Sequence, residues 1–380
     1  MSPQVSYPLI KVIGVGGAGS NAIDRMIHVG IPGVQFIAAN TDAQALALSE
    51  APKKIQLGPE TSRGLGAGGN PDIGARAAVE SADQLRQALG GAEILFLALG
   101  LGGGTGTGAG PVIAQLAREA GALTIAVAST PFSFEGRKRS EIAQEGLEKL
   151  TAKSDTLIAI SNDRVLDFID EDTSLDVSFR IADEVLRQGV QGVAELVTSA
   201  GVINLNLMHV RKLLSNAGSA LMSVGQGRGE GRALEAAQLA ITSPLTELSS
   251  IAGASAILVN ITGGNDLSLE EIEKAVSTVA GAAGPDVDVF FGATVDPNMA
   301  GQLQVMLIAV GMDTETWAAN SGRGISGRQL YRGVAQRVFS PGARDRLDLE
   351  EARRDVDLHD LDIPTFLRRR RLAMMMEGKE

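Results

Sequence analysis

Gly102-Gly103-Gly104-Thr105-Gly106-Thr107-Gly108 is the stretch that decides the fold of this 380-residue chain. The apolar run Glu93 to Leu99 before it reads as a strand, and Pro111 to Ala120 after it as a helix, with proline at a first turn. Glycines at this density let backbone N–H groups crowd around anionic oxygens, and Thr105 and Thr107 add hydroxyl donors. A second loop has the same setting. Gly14-Val15-Gly16-Gly17-Ala18-Gly19 follows the strand-like Ile10 to Val15 and opens a helix from Ser20 to Val29. It fits G-x-G-x-x-G with acidic Asp42 about 20 residues on, which by itself suits NAD or FAD, or a tight turn with no ligand. Two phosphate nests at the carboxyl ends of one parallel sheet suit a nucleoside triphosphate better than a dinucleotide. The sequence contains no G-x-x-x-x-G-K-[ST], so a P-loop is excluded.

Outward from the loops, strand-like and helix-like segments alternate. Val34 to Ala39, Leu123 to Ser129 and Thr156 to Ile160 read as further strands, and Pro71 to Leu89 as a helix. The pattern predicts an α/β fold with a parallel sheet covered on both faces. Apolar residues at helical spacing (Leu175, Phe179, Ala182, Leu186, Val190, Val193, Val197) predict a long helix over 174–200, at 1.5 Å per residue roughly 37 Å, able to connect two domains. A smaller α/β unit is expected over 201–312. It has helices at Arg211 to Ser223, Gly231 to Ala240 and Leu269 to Ala282, and strands at Ala256 to Ile261, Val287 to Ala293 and Gln304 to Val310. Residues 313–361 read as a Gly-, Ser- and Arg-rich disordered linker, and 362–380 as a tail.

Composition narrows the function classes. The net charge of −11 argues against nucleic-acid binding. There is no cysteine and there are only three histidines, which speaks against disulfides, thiol catalysis and a histidine-rich metal site. No window reaches the roughly 18 apolar residues of a membrane span. The first eight residues lack the pattern of a signal peptide, so a cytoplasmic location is expected.

Gly-Gly-Gly-Thr-Gly-Thr-Gly resembles the signature of the tubulin and FtsZ superfamily. Asn40-Thr41-Asp42-Ala43-Gln44, Arg63 to Gly68, Pro131 to Gly136, Ser243-Pro244-Leu245 and Asp362 to Arg368 are similar to segments of bacterial FtsZ. The resemblance covers residues 9 to 312 and the tail peptide. It implies a Rossmann-like GTP-binding domain over 9–173, a central helix, and a C-terminal domain. It implies GTP or GDP as ligand, with Mg²⁺ held through the phosphates. Gly17, Ala18, Gly19, Ser20 and Asn21 would line the nucleotide; Gly104, Thr105 and Gly106 would hold phosphates; Glu135 and Arg139 would face the ribose side. Asn162 and Asp183 would read the guanine edge, with Phe179 stacking on the base. Phe179 and Asp183, four apart, share a helix face. Without the resemblance, Phe179 also reads as a core aromatic and Glu135–Arg139 as a solvated i,i+4 pair.

The resemblance further implies self-assembly into head-to-tail filaments at the division septum. In that family the loop after the long helix carries N-x-D-x-x-D and completes the neighbour's GTP site. Here the loop is Asn204-Leu205-Asn206-Leu207-Met208-His209. Asn204 is kept, while Asn206 and His209 replace the two carboxylates. An amide orients water but cannot take its proton, so weakened hydrolysis is expected. His209 reads either as a substitute base or as a surface histidine. The alternative function is a non-hydrolysing paralogue that co-polymerises with or caps ordinary FtsZ. A nicotinamide oxidoreductase rests on the first glycine loop alone. The tail, Asp362 to Arg371, places Ile363, Phe366 and Leu367 beside four arginines. It suits a peptide that docks on membrane-tethering division proteins.

Overall fold

The computed structural model describes residues 9–31, 33–166, 175–198, 207–242, 251 and 253–311. The linker and tail, Asn204, Asn206 and Ser243-Pro244-Leu245 lie outside the described residues. The first half runs β1 (Ile10–Val15), α1 (Gly16–Val29), β2 (Val34–Asn40), α2 (Ala43–Leu48), β3 (Lys53–Gln56), α3 (Pro59–Ser62), α4 (Pro71–Glu80), α5 (Ala82–Leu89), β4 (Ile94–Gly100), α6 (Thr105–Glu119), β5 (Leu123–Thr130), α7 (Arg137–Lys153), β6 (Thr156–Ser161) and α8 (Asn162–Leu166). The long helix α9 (Leu175–Thr198) follows. Then come α10 (Leu207–Leu214), β7 (Gly218–Arg228), α11 (Arg232–Thr242), β8 (Ala256–Gly263), α12 (Leu269–Ala283), β9 (Asp288–Val295) and β10 (Gln302–Val310).

The strands form one ten-stranded sheet in the order β3-β2-β1-β4-β5-β6-β7-β10-β8-β9. From β3 to β6 all pairings are parallel, as the alternating pattern predicts. β7 joins β6 in parallel over Thr156 to Ile158 and then pairs antiparallel with β10, which pairs antiparallel with β8. The second half is therefore mixed rather than parallel.

Two apolar clusters cover the two faces of the first half. On one face Ala22 and Met26 of α1 pack with Ala182, Leu186 and Val190 of α9. On the other, Ala77, Leu85, Ile113 and Leu147 come from α4, α5, α6 and α7. Each buried Leu or Ile contributes about 2 kcal/mol by leaving water. α9 is more than a connector, because its cluster also holds Met222, Met306 and Ile308 of β7 and β10. Gly192 makes that approach possible: a Cβ there would land on the Met306 sulfur. A third cluster, with Ala236, Ile272 and Val279, lies between the second half's sheet and α11 and α12.

Three expectations need correction. The helix expected over Arg211 to Ser223 is instead α10, a turn, and β7. Asn216 (φ 53°) and Gly218 (φ 68°) take left-handed backbone that ends the helix. Ala220, Met222 and Val224 then face one cluster while Leu221 faces another, the two-residue period of a strand buried on both faces. The helix expected over Pro71 to Leu89 is two helices broken at Ser81, whose hydroxyl accepts from Gly58 N at 2.9 Å. α6 starts at Thr105, not Pro111, so the last glycines of the loop are helical. The sequence pattern also left α2, β3 and α7 unassigned.

Candidate functional site

β1 and β4 are neighbours with Val15 opposite Leu99, so the two glycine loops leave adjacent strands side by side. Glycine is required where they meet. Gly16 has φ 72°, and a Cβ there would sit 3.3 Å from Gly106 N. A Cβ on Gly100 would press Ala18 Cβ at 2.8 Å, and one on Gly106 would land on the Gly100 carbonyl oxygen. The N-termini of α1 and α6 thus converge. Neither has a side-chain cap, which leaves first-turn N–H groups for an anion.

Around this cradle, Thr105 Oγ1 meets Thr41 Oγ1 at 2.6 Å. Thr107 is buried, and its Oγ1 accepts from Gly102 N at 3.0 Å, which braces the loop. Ser20 Oγ, in the first turns of α1, and Asn162 Oδ1, at the end of β6, are buried with no hydrogen-bond partner among the described residues. An unmade bond to a buried polar atom costs about 1–3 kcal/mol, and these two are the ones a ligand at the glycine-loop end would satisfy; Asn260 Oδ1 of β8, in the second half of the sheet, is also without a hydrogen bond among the described residues.

The remaining candidates gather beyond the carboxyl ends of β5 and β6. Glu135 pairs with Arg139 at 2.5 Å, and its other oxygen accepts from Phe132 N at 2.9 Å. The Glu135 side chain is enclosed, while its Arg139 partner is exposed. Phe132 is buried; Phe134 stacks on it at 5.0 Å and half-buried Phe179 meets it edge-on at 5.1 Å. Phe179 therefore joins the core and the site together. Asp183, one turn further along α9, lies 3.9 Å from Arg25 of α1.

His209 is elsewhere. It lies on α10, whose Arg211 donates to the carbonyls of Glu93 (3.0 Å) and Gly121 (3.5 Å), residues that precede β4 and β5. That is the end of the sheet opposite the glycine loops. The exposed His209 ring lies 5.9 Å from Phe290 of β9. Sequence reasoning gave no role to Thr41 or Arg25; both are polar residues on elements bordering the first loop, and nothing in their spacing marks them. Among the described residues no group of three or more His, Asp or Glu side chains is placed to hold a metal ion, and no helix is long and apolar enough to cross a membrane.

Residues 9–170 match the GTPase domain of the Tubulin/FtsZ family, and residues 218–313 the C-terminal domain of the FtsZ family. An empty FtsZ dimer of M. jannaschii is 42% identical over 82% of this chain and 90% of its own, with a TM-score of 0.79. This chain belongs to the FtsZ family. A tryptophan-to-tyrosine mutant of FtsZ from M. jannaschii is similar at 41% identity and a TM-score of 0.78, covering 82% of this chain and 93% of its own. CetZ2 from Haloferax volcanii, in a GTPγS-bound protofilament, shares the fold at 21% identity and a TM-score of 0.69, over 90% of this chain and 99% of its own. Membership makes the chain a cytoskeletal protein of a GTPase family whose ligands are GTP and GDP. The oxidoreductase reading of the first loop falls away.

Proposed function

We propose that this FtsZ-family chain binds GTP where α1 and α6 converge and assembles head to tail at the division septum in the cytoplasm. The observation that carries the reading is the pair of uncapped helix ends flanked by two unpartnered buried polar atoms, Ser20 Oγ and Asn162 Oδ1. Gly17 to Asn21 and Gly104 to Gly106 would take the phosphates, with Mg²⁺ held through them. Glu135 and Arg139 would border the ribose, Phe179 the base, and Asn162 and Asp183 the guanine edge. A carboxylate accepts from both the N1–H and the 2-amino group of guanine, which adenine cannot match.

α10 and His209 lie at the opposite end of the sheet from this cradle. Stacking copies head to tail would bring one copy's residues 204–209 to the next copy's GTP; CetZ2, which shares the fold, is itself seen in a GTPγS-bound protofilament. In that arrangement Asn204, Asn206 and His209 act on the neighbour's nucleotide. With both carboxylates replaced, the attacking water loses its proton acceptor, a contribution of about 10² to 10⁴ in rate. The exposed His209, near the Phe290 ring, is a surface histidine on this reading. Hydrolysis in a pure filament is slow, and the chain modulates filaments built with an ordinary FtsZ whose loop is intact. The tail peptide, Asp362 to Arg371, tethers them to membrane-associated division proteins.

GTP turnover of the pure protein beside an Asn206→Asp, His209→Asp double variant tests this. The double variant is expected to hydrolyse GTP at least tenfold faster, with GTP affinity unchanged. Equal turnover defeats the weakened-loop reading, and failure of the unmodified protein to bind GTP defeats the whole.

A further inference from the structure

Arg25 projects from α1 toward α9, and its Nε lies 3.9 Å from Oδ2 of Asp183. Both side chains are largely enclosed, 16% and 12% exposed. The enclosure comes from the packing around them, since Ala22 and Met26 of α1 and Ala182 and Leu186 of α9 share one core. A guanidinium taken that far from water needs a carboxylate beside it. At 3.9 Å the contact is an ion pair rather than a hydrogen bond, so the guanidinium draws Oδ2 toward itself by charge and does not grip both carboxylate oxygens.

Asp183 carries about four lone-pair positions on its two oxygens. With Oδ2 drawn toward Arg25, rotation of the carboxylate about its last bond is restrained. Guanine offers two parallel donors, so it gains most from an acceptor pair held in one plane; a base with one donor gains less. We infer that Arg25 is a specificity-determining positioning residue, which orients Asp183 so that both guanine donors are met at once. The inference rests on the reading of Asp183 given above. It also makes α1 a single rigid part with two duties: Ser20 at its start borders the phosphate cradle, and Arg25 further along steers the base reader.

The test measures affinities of the full chain for GTP and for inosine triphosphate, whose base lacks the 2-amino group. Arg25→Gln is expected to weaken GTP about tenfold and inosine triphosphate no more than about threefold, so that the ratio of the two affinities collapses. Arg25→Lys is expected to fall between Arg25→Gln and the unmodified chain. A merely structural arginine would weaken both nucleotides by one factor, and an unchanged ratio in Arg25→Gln overturns the inference. Because the ratio is read on the folded fraction alone, partial unfolding does not mask it, and Arg25→Lys decides the matter if the glutamine variant does not fold. Asp183→Asn separates the two levels. It is expected to lose GTP and to gain xanthosine triphosphate, whose 2-oxo group accepts from the new amide. If Asp183→Asn keeps its GTP affinity, the guanine reading itself fails; if it loses GTP while Arg25→Gln keeps the ratio, only the role of Arg25 fails.

Discussion

Thr41 and Thr105 touch hydroxyl to hydroxyl at 2.6 Å, which ties the turn after β2 to the first residue of α6. Thr41 is buried, so its hydroxyl has no water to replace that partner. A neutral hydrogen bond of this kind is worth about 1 kcal/mol net. Thr41→Val keeps the shape and leaves the Thr105 hydroxyl free to rotate. We expect a lowering of Tm by about 2–4 °C and a several-fold loss of GTP affinity in competition titration. Thr105→Val removes the group facing the phosphates and is expected to weaken GTP more than Thr41→Val does. The reverse order would place Thr105 outside the site.

Gly103 and Gly106 lie three residues apart in one loop and should differ sharply. An added Cβ at Gly103 meets nothing within 4 Å, while at Gly106 it lands on the backbone carbonyl of Gly100. A carbonyl held in the sheet cannot swing aside. Gly106→Ala is expected to cost about 1–3 kcal/mol from overpacking and to abolish measurable GTP binding. Gly103→Ala is expected to stay within about 0.5 kcal/mol of the parent. Urea unfolding and nucleotide titration on the two variants check the contrast.

The glycine loops were legible because phosphate cradles need glycine at fixed offsets from a strand, and that demand is written locally. The parallel order was legible for the same reason, since strands and helices alternate at short range. β7 was not. Ala220-Leu221-Met222-Ser223-Val224 is apolar on both faces, and such a run carries no period to tell strand from helix until the partners on each side are known. α7 escaped because Arg137 to Lys153 buries only a few residues of a mostly polar helix. Within the site, Asp183 and Phe179 came from the resemblance to the family, and their four-residue spacing added only that they share a helix face. Thr41 and Arg25 act through contacts to α6 and α9, which local pattern does not encode.

Exposed apolar side chains stand at both ends of the sheet. Leu65 (75% exposed) and Phe134 (56%) stand at the glycine-loop end, and Met208 (66%) at the α10 end. If copies stack head to tail, these side chains are covered in the filament. Leu65→Glu and Met208→Glu are each expected to raise the protein concentration needed for GTP-dependent assembly, read by light scattering, at least several-fold. GTP affinity of the monomer should stay within about twofold. Assembly at the parental concentration in both variants would exclude these surfaces from the contact.

Arg232 at the start of α11 supplies the last prediction, on acid stability. Its guanidinium donates to Glu271 Oε1 at 2.5 Å and Oε2 at 3.0 Å, and to Asp266 Oδ2 at 2.6 Å. Asp266 Oδ2 also accepts from Gly301 N at 3.1 Å, so one buried arginine joins α11, α12 and the loop before β10. Hydrogen bonds from Arg232 hold both carboxyls below the usual carboxylate range. A carboxyl with a depressed folded value stabilises the fold fully above its unfolded value, near ~4, and loses that contribution as pH falls through the folded value. The arginine itself stays protonated throughout. Arg232→Met removes these charge-assisted bonds. It also returns both carboxyls toward their ordinary values. The variant should therefore melt well below the parent at pH 7, and the gap should narrow steadily as pH is lowered from about 5 toward 3, because the parent is losing what the variant no longer has. Melting curves of both proteins across that range measure it, and a gap that stays constant to pH 3 would show that the two carboxylates do not draw their stabilising effect from Arg232.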